Sequence, residues 1–302
     1  MSGKNTTGMT AILLAGWLSA FAIPINAQTS PTGQGNQSQS GQQPNNQNQN
    51  PNQNQKPANS SSSLDVPNAA PPVSAEEEAA VKAFQAMPTT DVQKKIAAGE
   101  DFLKKYPESR YRPIVYSALT FEYIQTGKPE KAFEVGDKEV ELKPDDVQTM
   151  AILSQTIPRA MNANTPEPEK QLAKAETYGK RALEITPTIA KPEGMPDQNF
   201  NQAKNATLAM AHSGLGLVYF RRQKYNDAIP ELEQAVKIDP NPTPDPVNLY
   251  LLGMSDQKAS HYEEAATMFN KCAAITSGLQ NACKSGAEEA KKQGSTQMSS
   301  PK

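Results

Sequence analysis

Residues 209–242 read AMAHSGLGLVYFRRQKYNDAIPELEQAVKIDPNP, and the spacing within this stretch decides the fold. Leu215, Gly216, Tyr219, Tyr225, Ala228, Leu232 and Ala235 recur at helical intervals, and Pro240 closes the run. The pattern predicts two antiparallel helices. Gly216 and Ala228 are small where such helices cross closely, while Tyr219 and Leu232 are large enough to fill the space between neighbouring pairs.

The same register returns on both sides. C-terminal to it, Leu252-Gly253, Tyr262, Ala265, Phe269 and Cys272 take the same places, with Asp256 where an aromatic belongs and Ser277 in place of the closing proline. N-terminal to it stand Leu119, Tyr123, Ala132 and Pro144, with Gly136 at a position otherwise large. Between them, Leu153, Ile157, Ala175, Ala182 and Pro187 form a degenerate copy whose helices are parted by an insertion, Asn162 to Lys170, rich in Asn and Pro and read as a surface loop. This pattern of leucine, glycine, aromatic, two alanines and proline resembles the tetratricopeptide family, from about Thr89 to Gln293. The expected fold class is therefore all-α: an α-solenoid of antiparallel helix pairs, a tetratricopeptide-like superhelix. Expected repeats run over about 113–146, 147–189, 209–242 and 246–279, with a capping helix at 279–293 and a disordered tail at 294–302. Upstream, Ser74 with Glu77 and Thr90 with Gln93 read as capping boxes that start a further helical pair, 74–107.

The N-terminal segment is of another kind. Lys4 precedes an apolar run from Met9 to Ile25 containing Leu13, Leu14, Trp17 and Phe21, followed by Pro24 and Ala27. Basic, apolar and small regions in this order are those of a secretory signal peptide, 1–27, with cleavage expected after Ala27 and Ala22 as the weaker site. The alternative is an uncleaved anchor, although the run is short for a span of about 20 residues. No cysteine lies near the cleavage point to carry a lipid. From Gln28 to Ser63 the chain is almost wholly Gln, Asn, Ser, Gly and Pro with Lys56 as its sole charge, and it cannot bury enough surface to offset the entropy of ordering. Residues 28–73 are accordingly read as a disordered linker, and prolines 31, 44, 51 and 57 interrupt the strand pairing that an amyloid role would need.

The remaining chemistry points away from catalysis. The chain holds two histidines: His212 on a helix position facing the core, and His261 in a turn. Gly214-Leu215-Gly216 imitates half of a dinucleotide fingerprint but follows a helix instead of a strand, so it is read as packing. No phosphate loop, nucleophile elbow, metal helix or paired-cysteine zinc spacing occurs, and no metal or other cofactor is expected. Acidic clusters at Glu76 to Glu78, Glu263-Glu264 and Glu288-Glu289 beside Lys291-Lys292 read as solvated helix faces. A net charge of −2 with scattered bases gives no nucleic-acid surface and no global attraction to an anionic membrane.

The resemblance implies a binding protein, not an enzyme, with a groove lined by the first helix of each repeat. Residues offset from the core positions are Ser117, Phe121 and Ile124; Ala151 and Gln155; Met210, Ser213, Leu217 and Phe220; and Tyr250, Met254 and Gln257. Of these, Phe121, Ile124, Met210, Leu217, Phe220, Tyr250 and Met254 form the candidate partner-binding set. Large apolar side chains favour an amphipathic or extended peptide over a two-carboxylate clamp. The alternative is that the chain covers this strip itself, with the connection from Thr188 to Asn205 or with the final helix.

The stretch Phe102-Leu103-Lys104-Lys105-Tyr106-Pro107-Glu108-Ser109, then Tyr111, is similar to a helix boundary in tetratricopeptide proteins of outer-membrane assembly and envelope maintenance. The function read from all this is a protein–protein scaffold of the bacterial envelope, periplasmic or secreted. A membrane-anchored tether is the alternative if the N-terminal helix is retained. Finally, Cys272 and Cys283 lie six residues before and five after Gly278, the expected turn between antiparallel helices. Export to an oxidising compartment would join them in a disulfide.

Overall fold

A computed structural model of the chain describes residues 74–299, all of them helices and the turns between. The signal peptide and linker, 1–73, lie outside the described residues. The first helix, α1 (Ala75–Ala86), starts where Ser74 accepts the Glu77 N–H at 3.1 Å, and Glu76, Glu77 and Glu78 complement its positive end. Helix α2 (Val92–Lys105) is capped by Asp91, whose side chain makes no capping bond, so the second box read at Thr90 and Gln93 does not form. The chain enters that helix one residue later than the box requires.

Prolines at the first turn open α3 (Arg112–Gln125), α4 (Pro129–Leu142), α6 (Pro168–Ile185) and α9 (Pro246–Lys258), because there the missing N–H costs nothing. Helix α5 (Val147–Ala160) starts where Asp146 accepts the Thr149 N–H at 2.9 Å. The series continues with α7 (Asp197–Arg221), α8 (Tyr225–Ile238), α10 (Tyr262–Ala273) and α11 (Gln280–Ser299). In three pairs the turn is three residues long with its middle residue left-handed: Gly127 at φ +67°, Gln223 at +59° and Ser260 at +66°.

Each first helix packs antiparallel on its successor, α3 on α4, α5 on α6, α7 on α8 and α9 on α10. Each second helix packs in turn on the next first helix, and α11 closes the series against α10. The result is an all-α stack of helix pairs. Its repeat positions are filled by Leu119, Leu153, Leu215 and Leu252, all buried, and by Ala132, Ala175, Ala228 and Ala265 where helices cross. Burying each such leucine is worth about 1.5 to 3 kcal/mol.

The glycines mark the closest approaches. A Cβ on Gly216 would stand 2.6 Å from Leu232 Cγ and one on Gly253 2.9 Å from Phe269, both within a pair. Gly214 is tighter still: its Cβ would meet the backbone carbonyl carbon of Ser154 at 2.7 Å, because α5 and α7 pack directly on each other.

Two boundaries differ from the expected ones. The connection read from Thr188 to Asn205 is shorter, since α7 begins at Asp197, more than three turns ahead of its repeat. Half-buried Phe200, Ala203 and Ala206 and buried Thr207 give that extension a packed side. The tail expected to be disordered from 294 is helical as far as Ser299. Gln293 accepts a bond from Gln257 at 2.9 Å, and Gly294 lets α11 pass close to Tyr262, so the helix is held beyond its expected end.

Candidate interaction face

The first helices α3, α5, α7 and α9 present the positions read as a groove, and the structure divides that set. Phe121, on α3, is 36% exposed, and Ile124 one turn on is half-buried against the first core cluster. Leu217 is 4% exposed, clustered with Leu232, Leu251 and Leu252, so it is core and not a contact for a partner. The physical reason is that α9 lies against α7 and fills the space a ligand would need.

Met210 is half-buried beside Val147, Met150 and Ala211. Phe220 is half-buried, set edge-on to Tyr225 with centroids 5.7 Å apart. Tyr250 packs on Phe269 at 5.8 Å and, with Met254, borders the cluster that α11 closes through Ala287 and Ala290. The C-terminal half of the strip is thus largely covered by the chain's own helices.

Between these apolar residues runs a polar row that the apolar reading missed. Ser117 and Thr149 are hydrogen-bonded at 3.2 Å, joining α3 to α5. The fully buried Ser213 hydroxyl donates to Asn248 Oδ1 at 2.6 Å and accepts from Gln155 Nε2 at 3.0 Å and Arg159 at 3.3 Å. Arg159 also pairs with buried Asp245 at 2.6 Å. A buried pair of this kind contributes little net stability, but removing one partner strands the other charge. The row fixes how α5, α7 and α9 lie together. Its one signal in the sequence is a serine, Ser213, directly ahead of the small and apolar stretch Gly214 to Phe220.

A second system links two of the second helices, α2 and α6, to the pair that follows. Tyr123 donates to Glu100, which Lys131 also contacts at 3.4 Å, and the tyrosine's bond holds Glu100 below the usual carboxylate range. Tyr219, in the equivalent place, reaches Glu176 at 3.5 Å, where Lys180 and Arg222 hold the carboxylate low. In the last pair Asp256 replaces that tyrosine. It is 3% exposed, and burial lifts its pKa to about 6, with His261 at 3.7 Å lowering it and Glu233 and Glu264 raising it. His212 is bonded to Glu231 at 2.7 Å on the half-exposed side of α7, not within the core.

Cys272 and Cys283 are brought together, with Cα atoms 5.8 Å apart, inside the range a disulfide needs. Among the described residues no group of His, Cys, Asp and Glu could hold a metal ion, and no described helix is long and apolar enough to cross a membrane.

Residues 209–242 match the family model of the tetratricopeptide repeat. Solved structures with related architecture include a MamA RS-1 ArsTM double mutant, 16% identical, covering 66% of this chain and 93% of its own, with a TM-score of 0.47. Another is a thermophilic TPR protein of Thermus thermophilus, 17% identical, covering 72% and 99%, with a TM-score of 0.45. Among curated proteins none matches the chain.

Proposed function

We propose that this chain is a protein-interaction scaffold of the bacterial envelope, exported by its N-terminal segment, that takes a peptide or protein partner on the first-helix face at α3 and α5. The observation that carries the reading is Phe121. Of the three large apolar side chains exposed among the described residues, Phe121, Leu142 and Ile189, it is the one on a first helix, one turn from the Ser117–Thr149 bond. Aromatic anchors beside a small number of polar groups are the usual composition of a binding hot spot. In the same compartment Cys272 and Cys283 would be oxidised, fixing α11 to α10.

The test is photocrosslinking in the native envelope. A photoreactive phenylalanine placed at position 121 is expected to give discrete adducts, and one placed at Leu142 is not. Equal labelling from the two positions would remove the face assignment. Once the partner is in hand, Phe121→Ala should weaken it by about tenfold or more. Mass spectrometry of the mature protein decides export: a chain beginning at Gln28 supports it, and one retaining Trp17 replaces the released scaffold with an anchored tether.

A further inference from the structure

One repeat position breaks the pattern in a way the scaffold role does not use. Ala182, Ala235 and Cys272 occupy the small-residue slot of the second helix in three pairs; in the first pair that slot holds Glu139. All four are 0% exposed. Glu139 is wholly enclosed between α4 and the start of α5, and neither of its carboxyl oxygens has a hydrogen-bond partner among the described residues. Position 136, one turn earlier, is a glycine against which Leu153 packs, 2.9 Å from where a Cβ would stand, and the second pair repeats this with Gly179 ahead of Ala182, so the glutamate is the departure.

An unpaired carboxylate cannot be kept in such a place, because ionising it there costs several kcal/mol. Among the groups around Glu139, Asp146 makes this worse, while Lys143 and Thr149 offset it in part. Asp146, which caps α5, faces it with a second carboxyl group; Lys143 at the end of α4 is the nearby cation, itself paired to Asp146 at 3.2 Å. From α6 comes the Tyr178 hydroxyl, bonded to Asp137 at 2.8 Å, and from α5 the Thr149 hydroxyl. Burial first, and then Asp146, hold the Glu139 pKa up at about 8. As a neutral acid it can donate to Asp146; as an anion it opposes it.

We propose that Glu139 is a proton-operated joint between the first helix pairs, α1 to α4, and the rest of the stack: protonated, it lets α4 close on α5, and ionised, it opens that seam. The seam is also sparser than the corresponding ones between α6 and α7 or α8 and α9. Its opening has a direct route to the first-helix face. Asp146 accepts the Thr149 N–H, and the Thr149 hydroxyl bonds Ser117, so ionisation at Glu139 loosens the side-chain hydrogen bond between α3 and α5, one turn from Phe121. The joint itself stands without the partner reading, because it rests on the slot and its surroundings alone.

Linkage gives the expected profile. In the closed seam Glu139 ionises near 8, and in the open seam near its ordinary 4.5, so protons leave on opening between these values. The opening constant should then rise about tenfold per pH unit from about pH 5 to 8 and level off above. Hydrogen exchange of the full chain, corrected for intrinsic rates, reads this at the amides of residues 140–152, with residues 211–218 of α7 as the internal reference. Loss of protection with that slope at the seam, absent from α7 and abolished in Glu139→Ala, which installs the slot residue of the second and third pairs, is the result expected. Glu139→Gln serves equally if the alanine variant does not fold. A seam whose protection does not change between pH 5.5 and 8.5, or whose slope survives either substitution, would overturn the proposal.

Discussion

Gly214 and Gly216 look alike in the sequence, but the structure asks different things of them. At 216 an added methyl meets the Leu232 side chain, which can shift; at 214 it meets the Ser154 backbone at 2.7 and 2.8 Å, which cannot without parting α5 from α7. Gly214→Ala should therefore destabilise by about 3 kcal/mol and Gly216→Ala by about 1 to 2 kcal/mol. Denaturant melts of the two variants decide this, and a larger loss at 216 would count against the α5–α7 contact. The opposite opportunity lies at Ser260, an exposed residue held at φ +66° in the place where the first pair uses Gly127. Left-handed backbone costs a residue with a Cβ about 1 to 2 kcal/mol, and the extra freedom of glycine takes back about half. Ser260→Gly is thus expected to raise stability by about 0.5 to 1 kcal/mol, and a loss in the melt would show that the serine side chain holds the turn.

Helix α11 is unlike the others because, among its described side chains, those it buries are small. Cys283, Ala287 and Ala290 are its enclosed side chains, and Gly286 lets it approach Phe269. Three small residues bury little apolar area, so its tie to Cys272, across 11 positions of chain, carries a large part of its attachment. In the chain-entropy model so short a loop is worth about 2 to 3 kcal/mol. Cys272→Ala with Cys283→Ala should leave α3 to α8 protected while α11 exchanges faster; unchanged protection of α11 would mean its packing suffices alone.

The helix pairs themselves were legible in the sequence, since leucines, alanines and prolines report their neighbours through spacing. The face was not. Leu217, Tyr250 and Met254 belong to the same register as Phe121, and nothing in one-dimensional spacing tells that α9 and α11 lie over the first three and leave the fourth open. The polar row around Ser213 escaped for a similar reason: its partners come from other helices, Gln155 and Arg159 from α5 and Asn248 with the cap Asp245 from α9, and only their juxtaposition makes them a network.

For the molecule as a whole, buried acids set an unusual dependence of stability on pH. Glu139 and Asp256 both titrate higher in the folded chain than unfolded, at about 8 and about 6. Folding therefore takes up protons at both, and the stability they contribute is complete below the unfolded values of 4.5 and 3.8 and is lost as pH rises through the folded ones. Each group removes about 1.4 kcal/mol per pH unit inside its own window. Glu100 and Glu176 act in the other direction. Tyr123, and Lys180 with Arg222, hold them low, so their contribution is present above the ordinary carboxylate value and lost as pH falls below it. The two trends meet a little above pH 4, and there the melting temperature should peak, falling toward pH 8 and again toward pH 3. Calorimetry across that range at constant ionic strength measures it. Glu139→Gln should flatten the alkaline side above pH 6, where Asp256 is already ionised, and leave the acid side as it was. A melting temperature that climbs from pH 5 to 8 would mean that these two carboxyl groups find solvent in the folded chain.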